Sequence, residues 1–222
     1  MQEYKVSKSE VLRYLGYRGQ EISGITDRII DDMIELCIKT AKPRYHYVHL
    51  DIAETEEGIS LLGTDTVFKG KDIASHLKGA DSIVLMAVTL GHECERKLLQ
   101  LEAKSMTDAV CFNAASIALT EEAADICQRE IADLYRKDGY FINARYSPGY
   151  GDFPLSQQRE VLRLLNAEVR LGITLTPGDL MLPRKSVTAV LGLFKEEQAH
   201  HTSCLSCVMR DSCQFRKLGE HC

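Results

Sequence analysis

The feature of this sequence that most constrains its fold is the apolar segment at residues 81–90, which is unbroken from Ile83 to Val88. An amphipathic strand alternates polar and apolar residues, whereas a continuous run of this length is typical of a strand buried on both faces. We therefore expect a fully buried strand here. Its apolar members are Ile83, Val84, Leu85, Met86, Ala87, Val88 and Leu90.

The N-terminal part of the chain, residues 1–42, is predicted to be helical. A short amphipathic segment runs from Ser7 to Tyr17, and a longer helix begins at about Gly24–Thr26, where Thr26 is followed by an acidic residue. Apolar residues of the longer segment recur at helical spacing on one face. Pro43 is expected to end this helix.

A second helical region is predicted at residues 91–138. Gly91 opens a helix to about Glu102, and a long helix follows from about Met106 to Arg136, ended by Gly139. Small residues along the long helix would allow close packing against a sheet or a neighbouring helix. These residues are Ala109, Ala114, Ala115, Ala118, Ala123 and Ala124.

Short strands are predicted on either side of the helical region. Residues 45–52 alternate with a period of two, and 58–63 and 66–68 are bounded by turn residues, with one helical turn at 72–77. Residues 141–147 are predicted to form a strand and 186–193 the last one, with a helix at about 156–171 between them. Helices and strands do not alternate strictly, which favours the α+β class.

Length, charge and cysteine content narrow the class of protein. At 222 residues one large domain is expected, and a core of that size does not depend on the eight cysteines as disulfides. The net charge of −5 comes without a basic stripe, which argues against nucleic-acid binding. With no signal peptide and no apolar run of roughly 18 residues, we expect no membrane span and a cytoplasmic protein with reduced thiols.

The most distinctive segment is residues 145–192. It contains Arg-Tyr-Ser-Pro-Gly-Tyr at 145–150, a helix, Gly-Ile-Thr-Leu-Thr at 172–176, and Met-Leu-Pro-Arg-Lys-Ser-Val at 181–187. This ordered set resembles the activation domain of cobalamin-dependent methionine synthase. The match is dense over about 50 residues and looser but compatible from residue 1 to about 195.

The resemblance implies a single α+β domain over residues 1–195, with a largely antiparallel sheet flanked by helices. It implies that the chain binds S-adenosylmethionine and supports the reductive methylation of cob(II)alamin, so that an oxidised corrinoid protein is reactivated. The cobalamin would be supplied by a separate methionine synthase or other corrinoid protein, because this sequence has no Asp-x-His-x-x-Gly motif. The electron would come from a flavodoxin-like or ferredoxin-like donor.

The resemblance also suggests the S-adenosylmethionine-binding residues. Arg145 has a planar fork suited to a carboxylate, and the small residues Ser147 and Gly149 allow the backbone to approach a ligand. Tyr150 offers a ring for stacking or for the sulfonium cation. Glu122, on the long helix, is suggested by register as an ammonium or ribose contact. No residue is expected to act as a general acid or base. Because the sequence has no cobalamin, homocysteine or folate module, we expect no methionine synthase activity from the chain alone.

Each of these residues also has a simpler interpretation. Arg145 could be a surface ion-pair partner, Glu122 a solvated helix residue, and Tyr146, which points opposite to Arg145, a core residue. Asp152 could contact a ligand or stabilise a turn.

A cysteine-rich tail, residues 196–222, lies beyond the resemblance. Its spacing, Cys-x2-Cys-x5-Cys-x8-Cys, suggests tetrahedral zinc or an iron–sulfur cluster, with unligated reduced thiols as the alternative. The candidate ligands are Cys204, Cys207, Cys213 and Cys222, while Cys37, Cys94, Cys111 and Cys127 are expected in the core.

Two other functions are compatible with the sequence. The chain could be a non-catalytic module that docks a corrinoid protein and has lost productive methyl-donor binding. It could also be a metal-dependent or iron–sulfur redox adaptor that acts through the cysteine tail.

Overall fold

A computed structural model describes residues 4–198 of the chain. At its centre is a six-stranded, wholly antiparallel sheet in the order β3-β2-β1-β4-β8-β5. The strands are β1 (Arg44–Thr55), β2 (Gly58–Leu61), β3 (Val67–Phe68), β4 (Ser82–Thr89), β5 (Phe141–Ile142) and β8 (Ser186–Phe194). A separate hairpin joins β6 (Thr174–Leu175) to β7 (Met181–Leu182).

The helices lie on both faces of the sheet and in a bundle beside it. They are α1 (Lys8–Tyr14), α2 (Gly24–Thr40), α3 (Lys71–His76), α4 (His92–Glu102), α5 (Met106–Arg136), α6 (Gln158–Leu164) and α7 (Ala167–Leu171). This arrangement confirms the predicted α+β class with an antiparallel sheet flanked by helices.

The apolar segment forms β4, and all of its residues are buried, as predicted. The strand lies between β1 and β8, so its backbone is paired on both edges. On one face Val84 and Met86 pack with small residues of α5, including Ala123 and Ala124. On the other face alternate residues of β4 pack with α3, α6 and α7.

The N-terminal half of α5 belongs to a helical bundle with α1, α2 and α4. Helix α2 begins after Ser23, whose hydroxyl accepts the backbone N–H of Thr26. The predicted start was therefore close, but Ser23 rather than Thr26 provides the cap. An N-cap side chain satisfies one of the free N–H groups at a helix start.

Two predicted elements are interrupted in the structure. The helix expected at 156–171 is broken at Asn166, which has φ 48° and separates α6 from α7. The strand expected at 141–147 pairs only at β5 and at an isolated bridge between Tyr146 and Val190. Between these points the side-chain oxygen of Asn143 accepts the N–H of Gly192, at 2.8 Å, in place of a backbone partner.

Candidate functional site

The segment carrying the distinctive motif lies along strand β8, on the side away from β4. The backbone N–H and C=O of Tyr146 both pair with Val190, at 3.1 and 2.8 Å. The hydroxyl of Ser147 donates to the carbonyl of Thr188 at 2.6 Å, which fixes the start of the loop. Pro148 follows and is buried. The loop therefore leaves the sheet from a backbone position set by β8.

Arg145 points toward helix α5. Its NH1 group donates to the carboxylate of Asp125 at 2.7 Å and to the side-chain oxygen of Gln128 at 2.8 Å. Its NH2 group lies 3.3 Å from a carboxylate oxygen of Glu121. The side chain of Arg145 is 21% exposed, so the guanidinium is held in place at the surface and remains accessible.

The guanidinium retains a free donor for a ligand. Among the partners found within residues 4–198, none accepts from Nε of Arg145. A guanidinium has five N–H donors in a fixed fork, so three bonds to α5 do not exhaust it. The neighbouring carboxylates of Glu121 and Asp125 can attract a cationic group. The arrangement therefore suits a molecule that carries an anionic and a cationic group close together.

Glu122 lies on the same turn of α5 but faces Arg129, with 3.5 Å between their charged groups. Its predicted contact with a ligand stays a prediction. The residues that hold Arg145 are instead Glu121, Asp125 and Gln128, which sequence reasoning missed. Their spacing of four and three residues places them on one face of the predicted long helix, and that signal could have identified them.

The loop after Arg145 is tightly folded. Gly149 and Gly151 have φ of 94° and 53°, a region that L side chains rarely adopt. A Cβ atom at Gly151 would lie 2.1 Å from the carboxylate of Asp72 and 2.6 Å from the hydroxyl of Tyr146. Tyr150, between the two glycines, is 65% exposed and offers its ring to solvent.

Asp152 joins the loop to helix α3. Its carboxylate accepts the backbone N–H groups of Lys71 and Asp72 at the start of α3, at 2.7 and 2.9 Å. These backbone hydrogen bonds lower the pKa of Asp152, with that of Asp72 contributing most. The turn-stabilising interpretation of this residue is therefore the one that the contacts favour.

Tyr146 points to the opposite side from Arg145 and packs in the core, as expected. Its ring stacks on His76 at 4.9 Å between centroids and lies 6.3 Å from the ring of Phe153. Burial lowers the pKa of His76 to about 4, against a smaller opposing effect of a backbone hydrogen bond at Ala144. The Nε2 atom of His76 is buried without a partner within the described part of the chain. The imidazole is therefore neutral and serves to support the loop.

A cavity of about 300 Å³ lies beside the Arg145 contacts. Two of its lining residues, Asp125 and Gln128, are also hydrogen-bond partners of Arg145. A volume of this size is at the lower end of the range for small-molecule sites. The remaining lining residues are Arg129, Ala132, Arg136, Tyr140, Phe141, Ile142, Glu197 and Gln198.

The four tail cysteines predicted to hold a metal, Cys204, Cys207, Cys213 and Cys222, lie outside the described residues. Within residues 4–198 no group of three or more histidine, cysteine or acidic residues is gathered as a metal site. The other four cysteines are buried, as expected, and no disulfide joins them within these residues: Cys37, Cys94, Cys111 and Cys127. The same part of the chain contains no helix with the length and hydropathy of a membrane span.

Comparison with known sequences identifies the family. A family model described as "Vitamin B12 dependent methionine synthase, activation domain" matches residues 70–214. The chain belongs to this family. The predicted resemblance is thereby confirmed, and with it a role in methionine synthase activation. The matched range contains the loop from Arg145 to Tyr150 and all of α5. No curated protein sequence matches the chain.

Comparison with solved structures supports the same fold. The chain is similar to a structure described as "Crystal Structure of the MetH Reactivation Domain bound to AdoHcy", with a TM-score of 0.66 and 17% identity. The similarity covers 97% of this chain and 82% of that one. The described residues therefore share the fold of that structure.

Proposed function

We propose that this activation domain binds S-adenosylmethionine between the loop at 145–151 and helix α5. The observation that carries the proposal is the setting of Arg145, whose guanidinium is positioned by Asp125 and Glu121 but keeps a free Nε donor. S-adenosylmethionine carries a carboxylate and an ammonium on one carbon atom. The guanidinium can bind the carboxylate of the ligand, and the neighbouring carboxylates can bind its ammonium group.

Each residue of the proposed site has a role in holding the ligand. Arg145 binds the carboxylate, and Asp125 and Glu121 bind the ammonium or ribose hydroxyl groups. The backbone at Ser147 and Gly149 approaches the ligand closely, because neither residue has a bulky side chain. Tyr150 covers the ligand with its exposed ring. Glu122 remains an additional candidate through a change of side-chain rotamer away from Arg129.

The chemistry of the reaction belongs to the bound molecules, and the protein contributes orientation. S-adenosylmethionine supplies the methyl group that reactivation transfers to cobalamin, together with one electron from a donor. Loop 145–151 and α5 hold the sulfonium end at the protein surface, where a second protein can approach it. The neighbouring structure supports this ligand class, since AdoHcy, its bound molecule, is what S-adenosylmethionine becomes on losing its methyl group.

The partner in this proposal is a cobalamin-dependent methionine synthase or another corrinoid protein. The reaction also requires a flavodoxin-like or ferredoxin-like electron donor, and a cytoplasmic setting would bring the three together. Family membership supports a corrinoid partner. Without that partner the chain has no methyl acceptor, so we expect no turnover of S-adenosylmethionine by the chain alone.

Calorimetric titration with S-adenosylmethionine and S-adenosylhomocysteine tests the ligand. We expect saturable binding of both, weakened at least tenfold by Arg145→Ala, because loss of one charge-assisted contact costs about 1.4 kcal/mol or more. Arg163→Ala is the matched control, since Arg163 pairs with Asp65 and Glu160 away from the loop. Unchanged affinity in Arg145→Ala would contradict the site.

The same titration separates the alternatives. If S-adenosylmethionine does not bind either to the free chain or in the presence of a cobalamin-loaded partner, the docking-module function is favoured. A redox adaptor would instead contain metal in its tail. We further propose that the tail, residues 196–222, holds zinc or an iron–sulfur cluster through its four cysteines, three of which lie within the range that the family model matches. Iron, sulfide and zinc analysis of anaerobically purified protein tests this, and a metal-free protein would contradict it.

A further inference from the structure

Two cysteines from different helices meet in the helical bundle. Cys37 lies on α2 and Cys94 on α4, and the sulfur atoms of both lie against the hydroxyl of Ser116 on α5, at 3.5 and 3.4 Å. The two thiols therefore share one hydroxyl as a neighbour. Both residues are almost completely buried, with 0% and 1% exposure. They are far apart in the chain, so only the tertiary structure brings these thiols together.

The surroundings make the two thiols chemically unequal. Cys94 is the third residue of α4, where free backbone N–H groups favour a negative charge. The neighbouring Cys37 thiol lowers the pKa of Cys94 against the opposing effect of burial, and Ser116 and Lys185 contribute in the lowering direction. The neighbouring Cys94 sulfur and burial raise the pKa of Cys37. One sulfur is therefore suited to attack an oxidant, and the other to react with the product.

We propose that Cys37 and Cys94 form a disulfide when the protein meets a hydroperoxide. The Cys94 thiolate attacks the peroxide O–O bond, and with a proton this yields a sulfenic acid and water. The Cys37 thiol then attacks the Cys94 sulfur, the S–S bond forms, and a second water leaves. Two thiols and one hydrogen peroxide become one disulfide and two waters, so each sulfur loses one electron and the peroxide gains two.

The disulfide would tie α2 to the start of α4. Helix α4 also carries Glu95, which pairs with Arg184 just before β8, the strand along which the Arg145 loop lies. Oxidation would thus fix α2 to α4, and α4 is in turn joined to Arg184 at the start of β8. The small size of hydrogen peroxide suits a buried thiol pair, whereas larger disulfide reagents need an opening of the bundle.

Peptide mapping of the full chain tests the proposal directly. Reduced protein is treated with hydrogen peroxide, alkylated with N-ethylmaleimide in denaturant at mildly acidic pH, and digested with trypsin. Cys37 lies in the tryptic peptide 29–39 and Cys94 in 79–96. We expect these two peptides to be recovered joined by a disulfide. Peptide 105–129, which contains Cys111 and Cys127, should carry two alkylated thiols and serves as the internal control.

Thermal unfolding provides the second readout. Because the disulfide closes a long loop, we expect a rise in melting temperature of roughly 10 °C, reversed by dithiothreitol and absent in Cys37→Ala and Cys94→Ala. Peptides 29–39 and 79–96 recovered fully alkylated would overturn the proposal. So would Cys94 joined to a tail cysteine, or a crosslink that appears only after the protein has unfolded. The peptide map of the oxidised wild-type protein tests the disulfide even if a cysteine variant does not fold.

Discussion

Asp72 and Asp152 hold each other in place through a reciprocal pair of hydrogen bonds. The Asp72 N–H donates to the carboxylate of Asp152 at 2.9 Å, and the Asp152 N–H donates to the carboxylate of Asp72 at 3.0 Å. One residue begins helix α3, and the other ends the loop that follows Arg145. This pair therefore joins the loop of the candidate site to α3, which packs on the face of the sheet opposite to α5.

Removing the Asp152 carboxylate should loosen this connection. We expect Asp152→Ala to lower the melting temperature by roughly 2–4 °C, because α3 loses its capping acceptor. S-adenosylmethionine affinity should fall as well, since the loop loses its anchor. Asp133→Ala, a change of the same kind at an exposed position on α5, is the control. Scanning calorimetry and ligand titration measure the two effects, and equal melting temperatures of the two variants would contradict the role of Asp152.

A methyl group at Gly151 should displace the same pair. In Gly151→Ala the new Cβ would overlap the carboxylate of Asp72, and the residue would keep a positive φ of 53°. We expect a loss of about 1–3 kcal/mol in the free energy of unfolding, measured by urea titration. Gly178→Ala is the matched control, because its Cβ meets no atom closer than 4.0 Å. Equal stability of the two variants would show that the loop can rearrange at no cost.

The free energy of unfolding should depend on pH through His76. Its pKa is about 4 in the folded protein and 6.5 in a free histidine, so the unfolded chain binds the proton more readily. This contribution is fully present above pH 6.5 and is lost as the pH falls toward 4, to a total of roughly 3 kcal/mol.

The variant His76→Phe isolates this effect. Phenylalanine can stack on Tyr146 but has no proton to bind, so the variant should lose less stability than the wild type between pH 7 and 4.5. Urea unfolding at several pH values measures the difference. Parallel curves for the two proteins would assign the acid sensitivity to other groups.

The buried pair of Gln158 and Thr188 should be sensitive to loss of one hydroxyl. The Gln158 amide donates to the Thr188 hydroxyl at 2.7 Å, beneath the carbonyl that binds Ser147. Thr188→Val keeps the shape but leaves the amide without that partner, at a cost of about 1–3 kcal/mol. Thr188→Ser keeps the hydroxyl and should retain more of this stability. If urea unfolding finds the valine variant the more stable of the two, the hydrogen bond is unimportant.

The carboxylate of Asp125 should affect ligand binding more than folding. Asp125→Asn keeps an acceptor for Arg145 but removes the charge proposed to attract the ammonium of S-adenosylmethionine. We expect affinity to fall roughly tenfold, equivalent to about 1.4 kcal/mol. The melting temperature should change little because the residue is exposed. Glu122→Gln is the comparison, and a larger loss in that variant would make Glu122 the ligand contact.

Much of the fold could be predicted from local patterns. The apolar run at β4, the small residues of α5 and the proline that follows α2 each constrain the backbone through their own chemistry. The predictions were weakest where a single asparagine interrupts a regular element, either through its side chain or through its backbone conformation. Asn143 interrupts the strand before Arg145, and Asn166 divides a helix by adopting a left-handed conformation. The spacing of apolar residues along the chain does not predict such interruptions.

The sequence by itself determined the family, the class of fold and the loop that begins at Arg145, because these depend on the order of residues along the chain. Only the tertiary structure decided which residues surround that loop. Asp125 and Glu121 reach Arg145 because α5 crosses the sheet beside β8, and Cys37 meets Cys94 because two helices pack on a third. Contacts of this kind join positions far apart in sequence, and their geometry follows from how the layers pack.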